Sequence, residues 1–429
     1  MKWWLKSVNI VFLGVCLSLQ VVGVQATAQE KLGWIGPIYK ELAESLMRGF
    51  KDYYRKTYGT EIEITFIRPG GWPVCVDKVR LWGGKPDADV FLGAGAPAHE
   101  LLKSLGLTVP YKHAHWDAIP EEWQGMLVKD PEYYWSAFAP WLVTNIYNEK
   151  VMKILGLPIP RTWTDLLDPV YRGHIVHCLP YASGTMHEVV EIILQTMGEE
   201  EGWAYWRHLA VNLARFSTGS VDTLQIVARG EIPIGVAQPQ MNAMAARKDG
   251  YPVAALIPDK TILVPEAAAL LAGAPNEKNA KIFLDWLYSP EGQLYVLKGL
   301  YFPARVDISL SAWAAQGIKE AEYALGALGA DNFWAVEVEL IDYDLDLATL
   351  RWDEVNRKYE YEIYRKWDEI KTTFALIEEV KEKIEAARKA GRDVAEAESK
   401  IREALTLFGK GEYEAARNAA TEARDFLGR

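Results

Sequence analysis

The stretch Leu-Pro-Tyr-Ala-Ser-Gly-Thr, residues 179–185, carries the side chains best suited to chemistry. It follows the apolar segment 174–178, which predicts a β-strand, so Ser183, Gly184 and Thr185 come at the end of that strand. Three interpretations are open at this point. The first is that Ser183 is a nucleophile, the second is that the loop holds a ligand, and the third is that these residues simply begin a helix.

A nucleophilic serine needs a neighbouring base, and no catalytic motif supplies one. Ser183 does not lie in the nucleophile elbow GxSxG, and the sequence contains neither a phosphate-binding P-loop nor an HExxH helix. His113 and His115 make a pair without an evident third ligand, so core or surface histidines explain them better than a metal does. The sequence therefore predicts a protein that is not an enzyme, with no catalytic residue, no metal ligand and no cofactor.

A binding loop has more support. Residues 185–188 read Thr-Met-His-Glu, which fits a capping box with Thr185 as N-cap and Glu188 at N3, before the apolar run 189–194. Ser183 and Gly184 would then present a hydroxyl and backbone N–H groups beside a helix N-terminus, which favours an anion or a polar group. An ordinary helix N-terminus that binds no ligand explains the same residues.

Similar loops follow other predicted strands, namely Gly36-Pro37, the Gly93–Gly95 segment and Thr218-Gly219-Ser220. In open α/β sheets such loops gather at the carboxyl ends of the strands, where ligands bind. The sequence thus predicts a ligand-binding cleft. Its predicted residues are Gly36, Tyr39, Trp72, Gly95, Ser183, Gly184, Thr185, Thr218, Ser220, Gln238, Gln240 and Asn242.

The elements that position these loops alternate between strand and helix. Ile38, Leu42, Leu46, Phe50 and Tyr54 recur every four residues, as in an amphipathic helix, and the alternating segment 61–67 follows as a strand. The resulting βαβαβ order predicts an α/β fold with a parallel sheet. A second such unit follows, so the chain predicts two lobes with a hinge and a cleft between them.

The predicted domains are a signal peptide at 1–28, a first lobe at 29–141 and 264–345, a second lobe at 142–263, and a C-terminal helical module at 352–429. The chain is expected to cross between the lobes near 139–146 and near 258–266. The module shows three apolar stripes separated by short loops, which predicts an array of helical hairpins. It either buttresses the lobes or docks a partner.

The N-terminus predicts export. Lys2 and Lys6 precede an apolar stretch that ends near Ala26-Thr27-Ala28, a small-residue cleavage pattern, although an uncleaved anchor fits the same stretch. Past it, Cys75 and Cys178 allow one disulfide or two buried thiols. The formal net charge of −11 argues against a nucleic-acid partner. We expect the protein outside the cytoplasm, at the periplasmic or extracellular face of the cytoplasmic membrane.

Several segments of the sequence resemble a known protein family. The segments 160–185, 198–212, 228–237 and 273–305, with their "TWTDLLDP" and "AKIFLDWLYSPEGQ" motifs, are similar to the extracellular solute-binding proteins of ABC importers, in the ferric-iron-binding branch. The resemblance covers about 31–310. It implies a bilobal Venus-flytrap fold, a small-molecule or anionic solute, an ABC permease as partner and a monomeric state. In that family the Ser-Gly loop matching residues 183–185 contributes to an anion site.

One departure from the ferric branch is clear. The adjacent tyrosines that ligate Fe(III) in that branch correspond here to Gln238-Pro239-Gln240. Amides are poor Fe(III) ligands but suit a neutral or anionic organic solute. We therefore expect iron coordination through a tyrosine pair to be absent.

Two other functions remain as alternatives. A sensory or scaffold protein would present the flytrap to a membrane receptor through its helical tail, and truncation near residue 352 would separate that role from transport. An exported hydrolase would use Ser183 and would be labelled by a serine-reactive phosphonate, which we do not expect. The solute itself is left open by the sequence.

Overall fold

The computed structural model describes residues 29–428. The predicted signal peptide at 1–28 lies outside the described residues. Within 29–428, no helix is long and apolar enough to cross a bilayer.

A parallel sheet forms the first lobe, as predicted. β1 pairs with β2 and with β3, both in parallel, and helices follow each strand. The amphipathic stripe predicted for the first helix is confirmed, since Leu42, Leu46, Phe50 and Tyr54 are all buried. The elements of this part are β1 (Glu30–Ile35), α1 (Lys40–Tyr58), β2 (Ile62–Ile67), α2 (Trp72–Leu81), β3 (Val90–Leu92), α3 (Ala96–Ser104), β4 (Thr108–Val109), β5 (Glu122–Trp123) and β6 (Met126–Leu127).

The second lobe repeats this pattern. Its strands β8, β9 and β10 pair in parallel, and helices again follow their carboxyl ends. Two helices follow β8, because Gly198 ends the first of them with a positive φ of 85°. The elements are β7 (Ser136–Asn148), α4 (Glu149–Leu155), β8 (Ile175–Cys178), α5 (Gly184–Met197), α6 (Glu199–Asn212), β9 (Leu213–Ser217), α7 (Ser220–Ala228), β10 (Ile234–Pro239), α8 (Met241–Lys248) and β11 (Val253–Leu256).

Two long strands connect the lobes. After the short β12 (Lys260–Thr261), β13 (Leu263–Leu271) runs antiparallel to both β3 and β7. β7 pairs with β13 through its first half and with β10 and β11 through its second half. The strand order is therefore β2-β1-β3-β13-β7-β10-β8-β9. The predicted crossings near 139–146 and 258–266 fall in these strands.

Helices and one short strand follow. α10 begins at a serine N-cap, because Ser289 Oγ accepts a hydrogen bond from Gly292 N at 3.1 Å and Pro290 occupies the first helical position. β14 pairs in parallel with β12. The elements are α9 (Glu277–Leu287), α10 (Pro290–Lys298), α11 (Leu310–Ala315), α12 (Lys319–Leu328) and β14 (Glu339–Leu340).

The C-terminal helices pack on the second lobe. The three predicted hairpin helices are present. Arg207 of α6 contacts this region by donating to the Gly409 carbonyl of the second hairpin helix at 2.6 Å and to Glu362 Oε2, in the turn before the first, at 2.5 Å. Two further helices and a π-helical turn at Glu360–Tyr364 precede them. The helices of this part are α13 (Leu345–Leu350), α14 (Trp352–Tyr359), α15 (Trp367–Lys389), α16 (Ala395–Lys410) and α17 (Tyr413–Leu427).

The two cysteines of this part of the chain are buried free thiols. Cys75 lies in α2 and Cys178 at the end of β8, so they belong to different lobes. Burial raises the pKa of both thiols, to about 11 for Cys75. Of the two arrangements that the sequence allows, the structure has the one without a disulfide.

Candidate functional site

Five helix N-termini meet at one cavity. The cavity has a volume of about 710 Å³ and lies between the lobes. Because the first N–H groups of a helix have no partner within it, an N-terminus attracts anions. α1, α2 and α3 reach the cavity from the first lobe, and α5 and α7 reach it from the second. Their N-terminal residues on the wall are Tyr39, Gly71, Trp72, Gly95, Ala96, Ser183, Gly184, Gly219 and Ser220.

The loop before α5 places two backbone N–H groups at the wall that have no acceptor among residues 29–428. Ser183 is extended, with φ −156°, and its Oγ accepts from Met186 N at 3.3 Å. The first helical hydrogen bond runs from His187 N to the Ser183 carbonyl at 3.1 Å, so the N–H groups of Gly184 and Thr185 precede it. This is a geometry that can bind an anion.

The predicted capping box is wrong. Ser183, not Thr185, is the N-cap of α5, because its extended backbone already places a hydroxyl over the first turn. Glu188 is thereby displaced from the capping position to the second turn, where its side chain reaches the cavity wall.

Ser183 also joins the neighbouring loop. Its Oγ lies 2.5 Å from Ser220 Oγ at the start of α7. That loop is held from within, since Asp222 Oδ2 accepts from Thr218 N at 2.9 Å and from Thr218 Oγ1 at 3.0 Å. The two N-termini of the second lobe therefore form one rigid corner of the cavity.

The first lobe contributes an arginine and aromatic rings. Arg68 Nε donates to the Pro37 carbonyl at 3.2 Å, and its Cζ lies 5.6 Å from the centre of the Tyr39 ring. Trp72 and Trp141 complete this wall. Sequence analysis missed Arg68; its position directly after β2, before the Gly-rich turn, was the available signal.

Two carboxyl groups also face the cavity, the half-buried one of Glu188 and the buried one of Glu266, and neither is among the site residues predicted from the sequence. Glu188 comes from α5 and Glu266 from β13. Burial raises the pKa of Glu266 to about 7, and burial together with the nearby charge of Glu266 raises the pKa of Glu188 to about 7. Trp141 Nε1 donates to Glu266 Oε1 at 3.2 Å, and Ala94 N donates to Oε2.

The segment before the C-terminal helices closes one side. Tyr343 and Leu345 lie on the wall. Gln195 of α5 holds this segment through both backbone groups of Asp344, at 2.8 and 3.1 Å. The chain therefore reaches the second lobe by Asp344, within the stretch 264–345 that the sequence assigns to the first lobe.

Most of the predicted site residues lie on the cavity wall. They are Tyr39, Trp72, Gly95, Ser183, Gly184, Thr185, Thr218 and Ser220. Gly36 lies beneath the wall, where a Cβ atom would be only 1.8 Å from the Leu92 carbonyl oxygen. Its role in the structure is a close backbone approach.

Gln238, Gln240 and Asn242 lie behind the wall, at the junction of β10 and α8. Both glutamines are fully buried. Asn242 Nδ2 donates to Gln238 Oε1 at 2.8 Å, and Gln240 Oε1 accepts from Leu142 N at 3.3 Å. They stay outside the cavity because pairing of β10 with the central strand β7 places this segment in the interior, where the two glutamines are buried.

Among residues 29–428, no group of three or more His, Cys, Asp or Glu side chains is arranged to hold a metal ion. His113, noted in the sequence for its spacing to His115, stacks on Tyr288 with ring centres 3.7 Å apart. It is a core residue.

Comparison with known proteins agrees with this architecture. Residues 85–323 match the family model of bacterial extracellular solute-binding proteins. A putative 2-aminoethylphosphonate-binding periplasmic protein of Salmonella typhimurium is 24% identical over 311 residues, covering 70% of this chain and 85% of that protein.

Solved structures show the same fold. AfuA of Actinobacillus pleuropneumoniae, a periplasmic binding protein solved with fructose-6-phosphate, superposes with a TM-score of 0.55 at 23% identity, covering 78% of this chain and 98% of AfuA. The ferric-binding protein of Campylobacter jejuni gives 0.55 at 20% identity, over 76% and 99%. The predicted Venus-flytrap fold and family resemblance are confirmed. Because the family model matches more than half of its length, the chain belongs to the bacterial extracellular solute-binding proteins, which capture a solute for an ABC importer.

Proposed function

We propose that the cavity captures a small organic anion with a phosphonate or phosphate group. The observation that carries this proposal is the convergence of five helix N-termini on one cavity. Each N-terminus carries a partial positive charge, roughly +0.5 of an elementary charge, and offers N–H donors. A tetrahedral anion has enough acceptor oxygens to bind donors from several of them at once. The Salmonella relative, named for a phosphonate ligand, supports the same class.

Binding would close the cleft. α1, α2 and α3 belong to one lobe and α5 and α7 to the other, so only the closed form contacts the anion from both sides. The closed protein would then deliver the solute to its permease. We further propose that it does so outside the cytoplasm, as a monomer, without a nucleic-acid partner.

We also propose that the cavity performs no catalysis. Ser183 Oγ is engaged by Met186 N and by Ser220 Oγ. No histidine is among the residues that line this cavity within the described chain. A serine without a base is a weak nucleophile.

Gly184→Pro tests the anion site directly. Proline is tolerated at the first helical position and follows an extended residue well, so α5 should persist while one wall N–H is lost. We expect the affinity for ethylphosphonate, measured by calorimetry, to fall about 10- to 100-fold, the usual worth of a hydrogen bond to a charged group.

Gly184→Ala is the matched control, because no atom lies within 4 Å of its added Cβ and its N–H remains. The proposal fails if the proline and alanine variants bind ethylphosphonate equally well.

Ferric citrate should produce no tyrosinate–iron charge-transfer band with this protein. The residues that replace the tyrosine pair are Gln238, Pro239 and Gln240, and all three are buried behind the cavity. A visible-absorption titration provides the measurement. Appearance of a saturable band would show that other tyrosines ligate the metal.

A further inference from the structure

The two carboxyl groups of the cavity have no counter-charge in the described chain. Glu266 is 8% exposed. Glu188 Oε2 is shielded from solvent and has no hydrogen-bond partner among residues 29–428, and neither carboxyl group forms a salt bridge there. Glu266 accepts hydrogen bonds from Trp141 and Ala94, but neither carboxyl group has a cation beside it within these residues. Carboxylates shielded from water normally have a cationic or hydrogen-bonding partner, so the unsatisfied Glu188 Oε2 beside Glu266 needs an explanation.

The two carboxyl groups come from different secondary-structure elements, so their common position at the cavity does not follow from the geometry of a single helix. Glu188 lies on α5 of the second lobe, whereas Glu266 lies on the crossing strand β13. Burial raises the pKa of both groups to about 7, and the charge of Glu266 contributes to the rise at Glu188. A cation placed between them would remove that cost, because an opposite charge favours the ionised form.

The surroundings suit an ammonium group. Trp141, Tyr39 and Trp72 line the same cavity, and aromatic rings attract cations. The Tyr343 hydroxyl, also on the wall, is another buried polar group without a hydrogen-bond partner in the described chain. The cationic Arg68 is exposed and is held toward the Pro37 carbonyl and the Tyr39 ring.

Glu188 lies close to the N-terminus of α5, where we propose that the anionic group of the solute binds. Glu188 follows Gly184 by four residues and Thr185 by three on α5, so these positions share one face of the helix. One turn advances about 5.4 Å along the axis. A ligand whose anionic group rests on the first turn would therefore carry its other end to Glu188. A second anionic group there would meet two carboxyl groups and be repelled.

We propose that Glu188 and Glu266 form an ammonium-binding end of the cavity, so that the captured solute is a short zwitterion with a primary ammonium opposite its phosphonate or phosphate group. This inference rests on the proposed anion-binding function. A site of this kind would bind a ligand with an amino group in preference to sugar phosphates and to ligands with two anionic groups.

The test compares two probes that differ mainly in one charged group. 2-Aminoethylphosphonate carries the ammonium and ethylphosphonate lacks it, and calorimetry with the full purified protein gives both affinities. We expect the unsubstituted protein to bind 2-aminoethylphosphonate about 10- to 100-fold more tightly. Glu188→Gln, which keeps the side-chain shape, should remove most of this preference while ethylphosphonate still binds.

Glu41→Gln is the control for distant electrostatics, because Glu41 is an exposed acid in the first turn of α1 and lies off the wall. It should keep the preference. Equal binding of the two probes by the unsubstituted protein would overturn the ammonium site alone. A Glu188→Gln variant that weakens both probes equally would also overturn it. Failure of both probes to bind would instead refute the anion site, and the zwitterion proposal with it.

Discussion

Gly36→Ala is expected to destabilise the protein by about 3 kcal/mol or more, the upper range for inserting a methyl group where there is no space. The added Cβ would lie 1.8 Å from the Leu92 carbonyl oxygen and 2.7 Å from its carbon. Both are backbone atoms of β3, so no side-chain rotation relieves the overlap. The strands β1 and β3 would have to separate at the edge of the cavity.

Urea unfolding followed by circular dichroism measures this loss. Gly184→Ala is the matched control, since the same chemical change there meets open space and should leave stability nearly unchanged. If Gly36→Ala unfolds at the same urea concentration as the control, then the close approach of β1 to β3 is not a feature of the protein in solution.

Arg351→Ala should destabilise the protein by about 3–5 kcal/mol, because it leaves a buried charge without its partner. Glu191 of α5 is completely buried and accepts from Arg351 Nη2 at 2.5 Å and from Nε at 2.8 Å. Arg351 Nη1 also donates to Glu199 of α6. One guanidinium thus joins the tail to two helices of the second lobe.

A double substitution separates the ion pair from simple loss of packing. Arg351→Met combined with Glu191→Met removes both charges while keeping most of the volume, and we expect it to recover much of the lost stability. Arg388→Ala, at an exposed ion pair on α15, should have little effect. Chemical denaturation compares the variants. A harmless Arg351→Ala would mean that the tail is not anchored through this residue.

These contacts support the buttressing interpretation of the C-terminal module. His187 Nδ1 lies 3.0 Å from Asn356 Oδ1, and Tyr359 Oη lies 3.1 Å from His177 Nε2, all four residues being buried. Truncation near residue 352 would uncover this surface and would be expected to destabilise the second lobe. Point substitutions such as Arg351→Ala therefore test the role of the tail more cleanly than deletion does. Docking of a partner stays a prediction.

Much of the fold could be predicted because it depends on local periodicity. The stripe of α1, the alternation of β2 and the Ser289 cap of α10 are each written within a few consecutive residues. The sequence predicts Thr185 as the N-cap of α5, whereas the structure has Ser183, and the reason is related. Two overlapping hydroxyl residues both fit a cap, and the choice depended on the backbone conformation of Ser183.

The site was less accessible to sequence reasoning because it is built from distant segments. Glu188 looked like a capping residue, and nothing nearby in the sequence indicated that Glu266 would face the same cavity. The family resemblance predicts Gln238 and Gln240 as ligand residues, but the pairing of β10 with β7 places them in the interior behind the cavity.

The amino-acid sequence alone determined the order of strands and helices, the polarity of the loops at helix N-termini and the family resemblance, because these depend on neighbouring residues. Only the tertiary structure decided which N-termini meet, that Gly36 is a contact between strands, and that two carboxyl groups without a salt-bridge partner among residues 29–428 face the same cavity. Those outcomes depend on the pairing of β7 and β13, which brings together segments far apart in the chain and joins the two lobes.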